Sequence, residues 1–316
     1  MTGSQDFAED PRNAQVLVYL NGDLVPRDEA KVSVFDSGFV LGDGVWEGFR
    51  LHRGALLFVD EHLDRLFRSA AAIDLDLGMT RDELRAALER TIAANGMTDG
   101  VHVRLMVTRG PKRTPNQDPR HTVGRPTVVI VAEYKTPSPA LVERGLRLFT
   151  STIRTPRPDA FDSKLNSHSR LNLIVALIHA IKAGADEALM LDGDGFVASC
   201  NATNFFFVRR GRVLTSTGRA SFNGITRGQV IALCRREGIP IEQGDFTLAD
   251  AYAADEAFVT GTFGGVTPVA EIDGRRIGAG VPGPLTARLR TLYEALKDAE
   301  AARVRGTRLH AQSTRP

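Results

Sequence analysis

Lys164 stands in the run Ala160-Phe161-Asp162-Ser163-Lys164-Leu165-Asn166, just ahead of an apolar stretch with helical spacing. Further along, Gly224-Ile225-Thr226 opens a second helical pattern. An amine able to bond covalently to an aldehyde, with a helix N-terminus downstream to hold an anion, is what tethering an aldehyde cofactor that bears a phosphate requires. Phosphate needs backbone N–H groups and a cation. Ile225 and Thr226 offer free amides and a hydroxyl, and Thr262-Phe263-Gly264-Gly265 offers a Gly-rich turn able to form an anion-binding nest. Arg65 is the candidate cation, on a helical stretch that also carries Leu63, Leu66 and Phe67. Each signal alone is weak, because lysines and helix arginines are commonly solvated and Gly-rich turns commonly only end a strand.

Other patterns narrow the chemistry. Gly42-Asp43-Gly44-Val45-Trp46-Glu47-Gly48 lacks the glycine spacing of a dinucleotide fingerprint and runs into a strand, not a helix. No nucleophile elbow or His-x-x-x-His pair occurs and the seven histidines are scattered, so no metal is expected. Arg50 and Arg104 each sit on an expected strand, where a half-buried arginine needs a partner. A substrate carboxylate would supply one; an internal salt bridge or an outward orientation would serve as well.

The 316 residues suffice for a sizeable core and allow two domains. The 40 basic and 38 acidic residues are dispersed, unlike the stripe of a nucleic-acid binder, so small-molecule partners are expected. No apolar run is long enough to span a bilayer and residues 1–12 lack an apolar signal region, which points to the cytoplasm. Cys200 and Cys234 form no framework and are expected as reduced thiols.

The elements that must position these residues begin with strands at 16–21, 24–25 and 31–35, then 45–52 and 55–58 around the turn Arg53-Gly54. Helices follow at 60–70 and 80–95, the second with a Thr80/Glu83 capping box, then strands at 101–109 and 127–133. Pro137 and Pro139 mark a linker. Beyond it, Leu171, Ile174, Val175, Ile178 and Ile181 define a core helix over 170–183. Strands at 187–191, 195–199, 204–208 and 213–215, helices at 226–236 and 248–254, a strand at 256–261 and a helix at 284–301 complete the pattern. The organisation expected is α+β: a smaller domain over 1–134, a linker over 135–140, a larger β-rich domain over 141–301, and a disordered tail over 302–316.

Taken together, the runs at 32–39, 42–48, 61–66, 183–192, 224–227, 260–262 and 266–268 resemble the fold-type IV pyridoxal-phosphate enzymes, the class IV aminotransferases. The resemblance is closest to the branched-chain amino-acid aminotransferases and covers about residues 15–295. It implies a D-amino-acid aminotransferase-like fold and pyridoxal 5'-phosphate, with Lys164 bonded to the cofactor and moving the proton between substrate Cα and cofactor C4'. It assigns the phosphate to Arg65, Ile225, Thr226 and Thr262, and the substrate α-carboxylate to the turn Thr262-Phe263-Gly264. Arg50, Arg104, Trp46 and Gly48 match positions around the substrate side chain.

Two matches depart from the family. The carboxylate that pairs with the pyridine nitrogen falls on Ser199, and the tyrosine that touches the cofactor phenolate oxygen aligns with Arg170. Leu41 and His102 stand where the branched-chain enzymes usually carry tyrosines. The implied reaction exchanges an amino group between a branched-chain L-amino acid and a 2-oxo acid such as 2-oxoglutarate, in a homodimer with a shared active site. Transamination of D-amino acids or (R)-amines, and an aminodeoxychorismate lyase-like elimination, are the alternatives.

Overall fold

The computed structural model describes residues 3–280 and 282–313. The chain divides into two compact units, and neither is contiguous. The N-terminal unit comprises Glu9–Thr136, Leu165–Ser169 and Lys297–Pro316; the C-terminal unit comprises Met1–Ala8, Pro137–Lys164 and Arg170–Leu296. The expected division gave each domain one continuous stretch, with a linker at 135–140. The observed break at Thr136/Pro137 is only one of several, because the chain also changes unit at 8/9, around 165–169 and at 296/297.

In the N-terminal unit, β1 (Leu17–Leu20) and β2 (Asp23–Pro26) form a hairpin, and α1 (Ser37–Leu41) follows. Next come β3 (Gly44–His52), β4 (Ala55–Leu56), α2 (Val59–Ala72), α3 (Arg81–Ala94), β5 (Val101–Thr108) and β6 (Thr127–Tyr134). The strands lie in the order β2-β1-β6-β5-β3-β4. Alternation sets the faces: Val45, Phe49 and Leu51 of β3, with Val103, Leu105 and Ile130, are buried with Leu63 and Leu66 of α2 and Leu84 and Leu88 of α3. The opposite set of β3 and β5 positions carries Trp46, Gly48, Arg50, His102 and Arg104. The Thr80/Glu83 capping box opens α3 as its spacing suggests.

In the C-terminal unit, α4 (Pro139–Arg144) begins within the expected linker, followed by β7 (Leu146–Thr150), α5 (Leu171–Lys182), β8 (Glu187–Leu191), β9 (Val197–Cys200), β10 (Asn204–Arg209) and β11 (Arg212–Ser216). The remainder is α6 (Ile225–Arg236), β12 (Ile241–Gly244), α7 (Leu248–Tyr252), β13 (Glu256–Gly261), β14 (Gly265–Ile272), β15 (Arg275–Arg276) and α8 (Pro284–Ser313). Strand order is β12-β11-β10-β13-β14-β7-β8-β9, with β15 on β14. Phe205 and Phe207 fill one face of this sheet, while Phe206, Val208 and Phe258 pack on α6 and α8 through Val230, Leu233 and Leu289.

Four sequence expectations are corrected. Residues 31–35 form no strand: Val32, Val34 and Phe35 stay exposed, and Asp36 caps α1 by accepting from the Gly38 amide at 2.8 Å. The stretch 170–183 is helical, but of its residues within α5 only Ala176 and Ala180 are buried, and the stripe of Leu171, Ile174, Ile178 and Ile181 is exposed. Of the tail expected to be disordered, residues 302–313 continue α8, and 314–316 lie outside the described residues. Strands β7, β12 and β14 are absent from the sequence expectation; β7 pairs in parallel with β8 and β14, so its partners lie far along the chain.

The Phe206 and Phe258 rings stack at 5.0 Å between centroids and both side chains are fully buried. Phe206→Ala is expected to cost about 3–5 kcal/mol, the range for emptying a phenylalanine site, read as a lower midpoint in denaturant unfolding.

Candidate active site

Arg65 reaches its place because α2 presents it, with His62 one turn earlier, to Glu47 of β3. Arg65 donates from Nε to Glu47 Oε1 and from Nη2 to Oε2, both at 2.7 Å, and His62 Nδ1 lies 2.7 Å from Oε2. Glu47 is fully buried. Burial opposes its ionisation, but hydrogen bonds and charge from Arg65, with those from His62, prevail and hold the carboxyl at about 2. One edge of the guanidinium is thereby fixed on the carboxylate, which sets the plane of the group. Glu47 and His62 were not singled out in the sequence; an acid among the otherwise apolar inward positions of β3 was the available signal.

The outward face of β3 and β5 gathers the expected side-chain residues. Gly48 pairs with Arg104, and Arg50 with His102. Arg104 lies over the Trp46 ring at 3.8 Å, and Trp46 Nε1 donates to the Ser167 carbonyl at 3.1 Å. Arg50 donates to the Lys135 carbonyl at 2.5 Å. A Cβ at Gly48 would stand 3.2 Å from the His102 ring, so the absence of a side chain there makes room for the imidazole. Burial, then the charges of Lys135, Arg50 and Arg104, push His102 down to about 3. It is therefore neutral among three cations.

The segment after Lys164 is stitched to the same strand: Trp46 N donates to the Asn166 carbonyl and His168 N to the Gly44 carbonyl, each at 2.9 Å. Lys164 itself belongs to the C-terminal unit and donates its backbone N–H to Asp162 Oδ1 at 2.9 Å.

Elsewhere in the C-terminal unit, Asn204 organises the expected cofactor residues. Its Nδ2 donates to Ser199 Oγ at 3.2 Å and to the Phe222 carbonyl at 2.6 Å, while its Oδ1 accepts from the Gly224 amide at 3.2 Å. Gly224 is the N-cap of α6, and a Cβ there would fall 2.4 Å from Asn204 Oδ1 and displace that side chain. Arg170, before α5, lies over the Phe222 ring at 5.6 Å. Ser199, Arg170 and the start of α6 are thus joined through Asn204 and Phe222. Thr262, Phe263 and Gly264 form the turn from β13 to β14, in which Thr267 Oγ1 donates to the Gly264 carbonyl at 3.3 Å.

The start of α6 has the chemistry a phosphate needs. No side chain caps this twelve-residue helix. Thr226 is buried in its first turn with its hydroxyl 3.4 Å from Tyr293 Oη, and Ser221 Oγ is buried nearby in the chain without a hydrogen-bond partner. Free amides, a helix dipole and an unsatisfied hydroxyl fit an anion.

The profile of the amino-transferase class IV family matches residues 44–272. The chain belongs to this family. It is 43% identical over 288 residues to branched-chain-amino-acid aminotransferase-like protein 2 of Arabidopsis thaliana, covering 91% of this chain and 51% of that one. The chain thus spans about half the length of the plant relative. A putative branched-chain-amino-acid aminotransferase of Methanocaldococcus jannaschii is 39% identical, with 89% and 96% covered. Among solved structures, the branched-chain aminotransferase from the thermophilic archaeon Thermoproteus uzoniensis with norvaline superposes with a TM-score of 0.81 at 32% identity, covering 90% of this chain and 96% of that one. The fold is that of fold-type IV enzymes.

Glu47→Gln leaves Arg65 buried against a neutral partner and is expected to destabilise by about 3–5 kcal/mol in thermal or denaturant unfolding. Both Glu47 and His102 have folded-state values below their unfolded ones, so each contributes stability above its unfolded value that is lost as pH falls. For His102 the loss begins below about 6.5 and continues toward 3, and for Glu47 it runs from about 4.5 toward 2. His102→Gln is expected to flatten the stability–pH curve in the upper window only.

Proposed function

We propose that the chain is a pyridoxal-phosphate transaminase acting on branched-chain L-amino acids, with a 2-oxo acid such as 2-oxoglutarate as the other partner. The observation that carries the proposal is the uncapped start of α6 with the buried Thr226 hydroxyl in its first turn, on a chain of the class IV family in which the resemblance assigns the lysine to Lys164. In this reading Ile225 and Thr226 hold the phosphate through the helix N-terminus, with Thr262 and the guanidinium of Arg65 as further partners. Fixing one edge of Arg65 on Glu47 orients the remaining donors before any ligand arrives.

When bound, the cofactor withdraws electrons from the substrate so that its Cα proton becomes acidic. Lys164 would hold the cofactor covalently and would move the proton to and from substrate Cα. The amides of Thr262, Phe263 and Gly264 bind the α-carboxylate. Trp46, Gly48, Arg50 and Arg104 shape the region for the substrate side chain, Trp46 offering an apolar surface and the arginines a place for the second carboxylate of a dicarboxylic partner. Neutral His102 beside them leaves that carboxylate to the arginines. The names of the plant, Methanocaldococcus and Thermoproteus proteins support the substrate class.

The same reading makes the protein a homodimer with a shared active site, in the cytoplasm. Leu171, Ile174, Ile178 and Ile181 on α5 are 41–72% exposed, and Val32, Val34, Phe35, Phe39 and Leu41 form a second apolar stretch that is 44–71% exposed. Such surfaces are costly to leave in water, and a second copy of this chain would cover them. No helix among the described residues is long and apolar enough to cross a membrane, and both cysteines are free thiols.

Absorbance of the purified protein tests the cofactor and the reaction. A visible band that L-leucine discharges, and that 2-oxoglutarate restores, is the expected result; a band that no amino acid changes would refute transamination. Lys164→Ala is expected to abolish the covalent band. Ile174→Asp combined with Ile178→Asp is expected to shift the mass in light scattering from two chains to one.

A further inference from the structure

By the family resemblance Ser199 stands where the carboxylate meets the cofactor ring nitrogen, and the buried acids described in its own unit are engaged elsewhere, Glu187 through Oε1 only, its Oε2 having no hydrogen-bond partner. Its hydroxyl is buried and donates to the Thr203 carbonyl at 2.8 Å, while Asn204 Nδ2 donates into its oxygen at 3.2 Å. The buried acid of the neighbouring strand, Glu187, faces the other way. Ser199 pairs with Met190 and Cys200 with Leu189, so Glu187, two residues before Leu189, shares the Cys200 face. Its Oε1 accepts from the Ala202 amide at 3.1 Å and from Thr203 Oγ1 at 2.8 Å, which fixes the turn that follows Ser199.

The other buried carboxylates of the C-terminal unit are committed as well. Asp186 binds Arg144, Asp192 accepts from the amides of Asp194 and Phe196, and Glu256 accepts from the amides of Leu285 and Thr286 at the start of α8. A pyridinium placed against Ser199 would be a buried cation with no anion beside it, and burial without a counter-charge favours the neutral base.

We propose that Ser199 binds the ring nitrogen of pyridoxal phosphate as a neutral pyridine, donating its hydroxyl proton to it. The inference rests on the cofactor reading above. The switch of acceptor is local, because the Thr203 carbonyl keeps the Cys200 amide at 2.9 Å when the Ser199 proton turns away from it. The Asn204 amide holds the oxygen in place in either state and, by donating into it, strengthens it as a donor. A neutral ring withdraws electrons less strongly, so this chain relies more on Lys164 and on the orientation of the Cα–H bond than a member with a carboxylate at this position.

The test is the ring-nitrogen resonance of the holoenzyme loaded with 15N-labelled pyridoxal 5'-phosphate. The wild-type protein is expected to give a neutral-pyridine resonance. Ser199→Glu is expected to move it to the pyridinium position. Ser199→Ala is expected to keep it neutral and shift it downfield through loss of the hydrogen bond, and this variant decides the matter should the glutamate variant not fold. A pyridinium resonance in the wild-type protein, or no shift in Ser199→Ala, overturns the proposal. Absence of the covalent absorbance band from the same wild-type sample would instead remove the cofactor reading, and the proposal with it.

Discussion

The buried pairing of Glu47 with Arg65 constrains the N-terminal unit more than any other contact. A carboxylate and a guanidinium withdrawn from water each carry a desolvation cost of several kcal/mol, and only close, two-pronged geometry offsets it. That requirement fixes the spacing of α2 against β3 and the register of β3 itself, because a slip of one residue would turn Glu47 outward and Trp46 inward. The outward row of Trp46, Gly48 and Arg50 is therefore determined from the opposite face of the strand. Local helix and strand preferences would not alone impose that.

A comparable division of labour holds in the C-terminal unit, where the central residue is uncharged. Asn204 makes three hydrogen bonds from one amide, to Ser199, Phe222 and Gly224. An amide can serve donors and acceptors at once, which suits a junction among a hydroxyl, a carbonyl and an N–H group. The start of α6 remains uncapped because its N-cap, Gly224, has no side-chain oxygen to accept from the first helical amides, and Asn204 engages only the Gly224 amide ahead of them.

Much of the architecture could be read from local pattern. Short runs bounded by turn signals located β3, β5, β6 and β8 closely, and the capping box at Thr80 and Glu83 located α3. Pairing partners were not legible: β7 and β14 are joined in parallel across more than a hundred residues, and β14 contains Pro268, which argues against a strand when the chain is read alone. The stripe on α5 misled for a different reason. Periodicity reports that a helix has an apolar face without saying what covers it, and Ile174 and Ile178 stand exposed on their own chain. Within the candidate site, short runs single out Lys164, Arg65 and Thr226 as candidates, and the family resemblance adds Ser199. Glu47, His62 and Asn204 act through other residues and carry no motif of their own.

Both units need distant pieces of the chain, and this bears on how the protein is made. The N-terminal unit includes residues 297–313, whose Asp298 carboxylate binds His52 at 2.7 Å and Arg53 at 3.2 Å. It also includes 165–169, which pair with β3. On the ribosome, residues 9–136 emerge before 165–169 and 297–313, so their last contacts cannot form until those later segments have been made. Vectorial, domain-by-domain folding is not open to this topology. Cutting the gene at the Thr136/Pro137 boundary would yield two fragments, each missing a part that the other encodes.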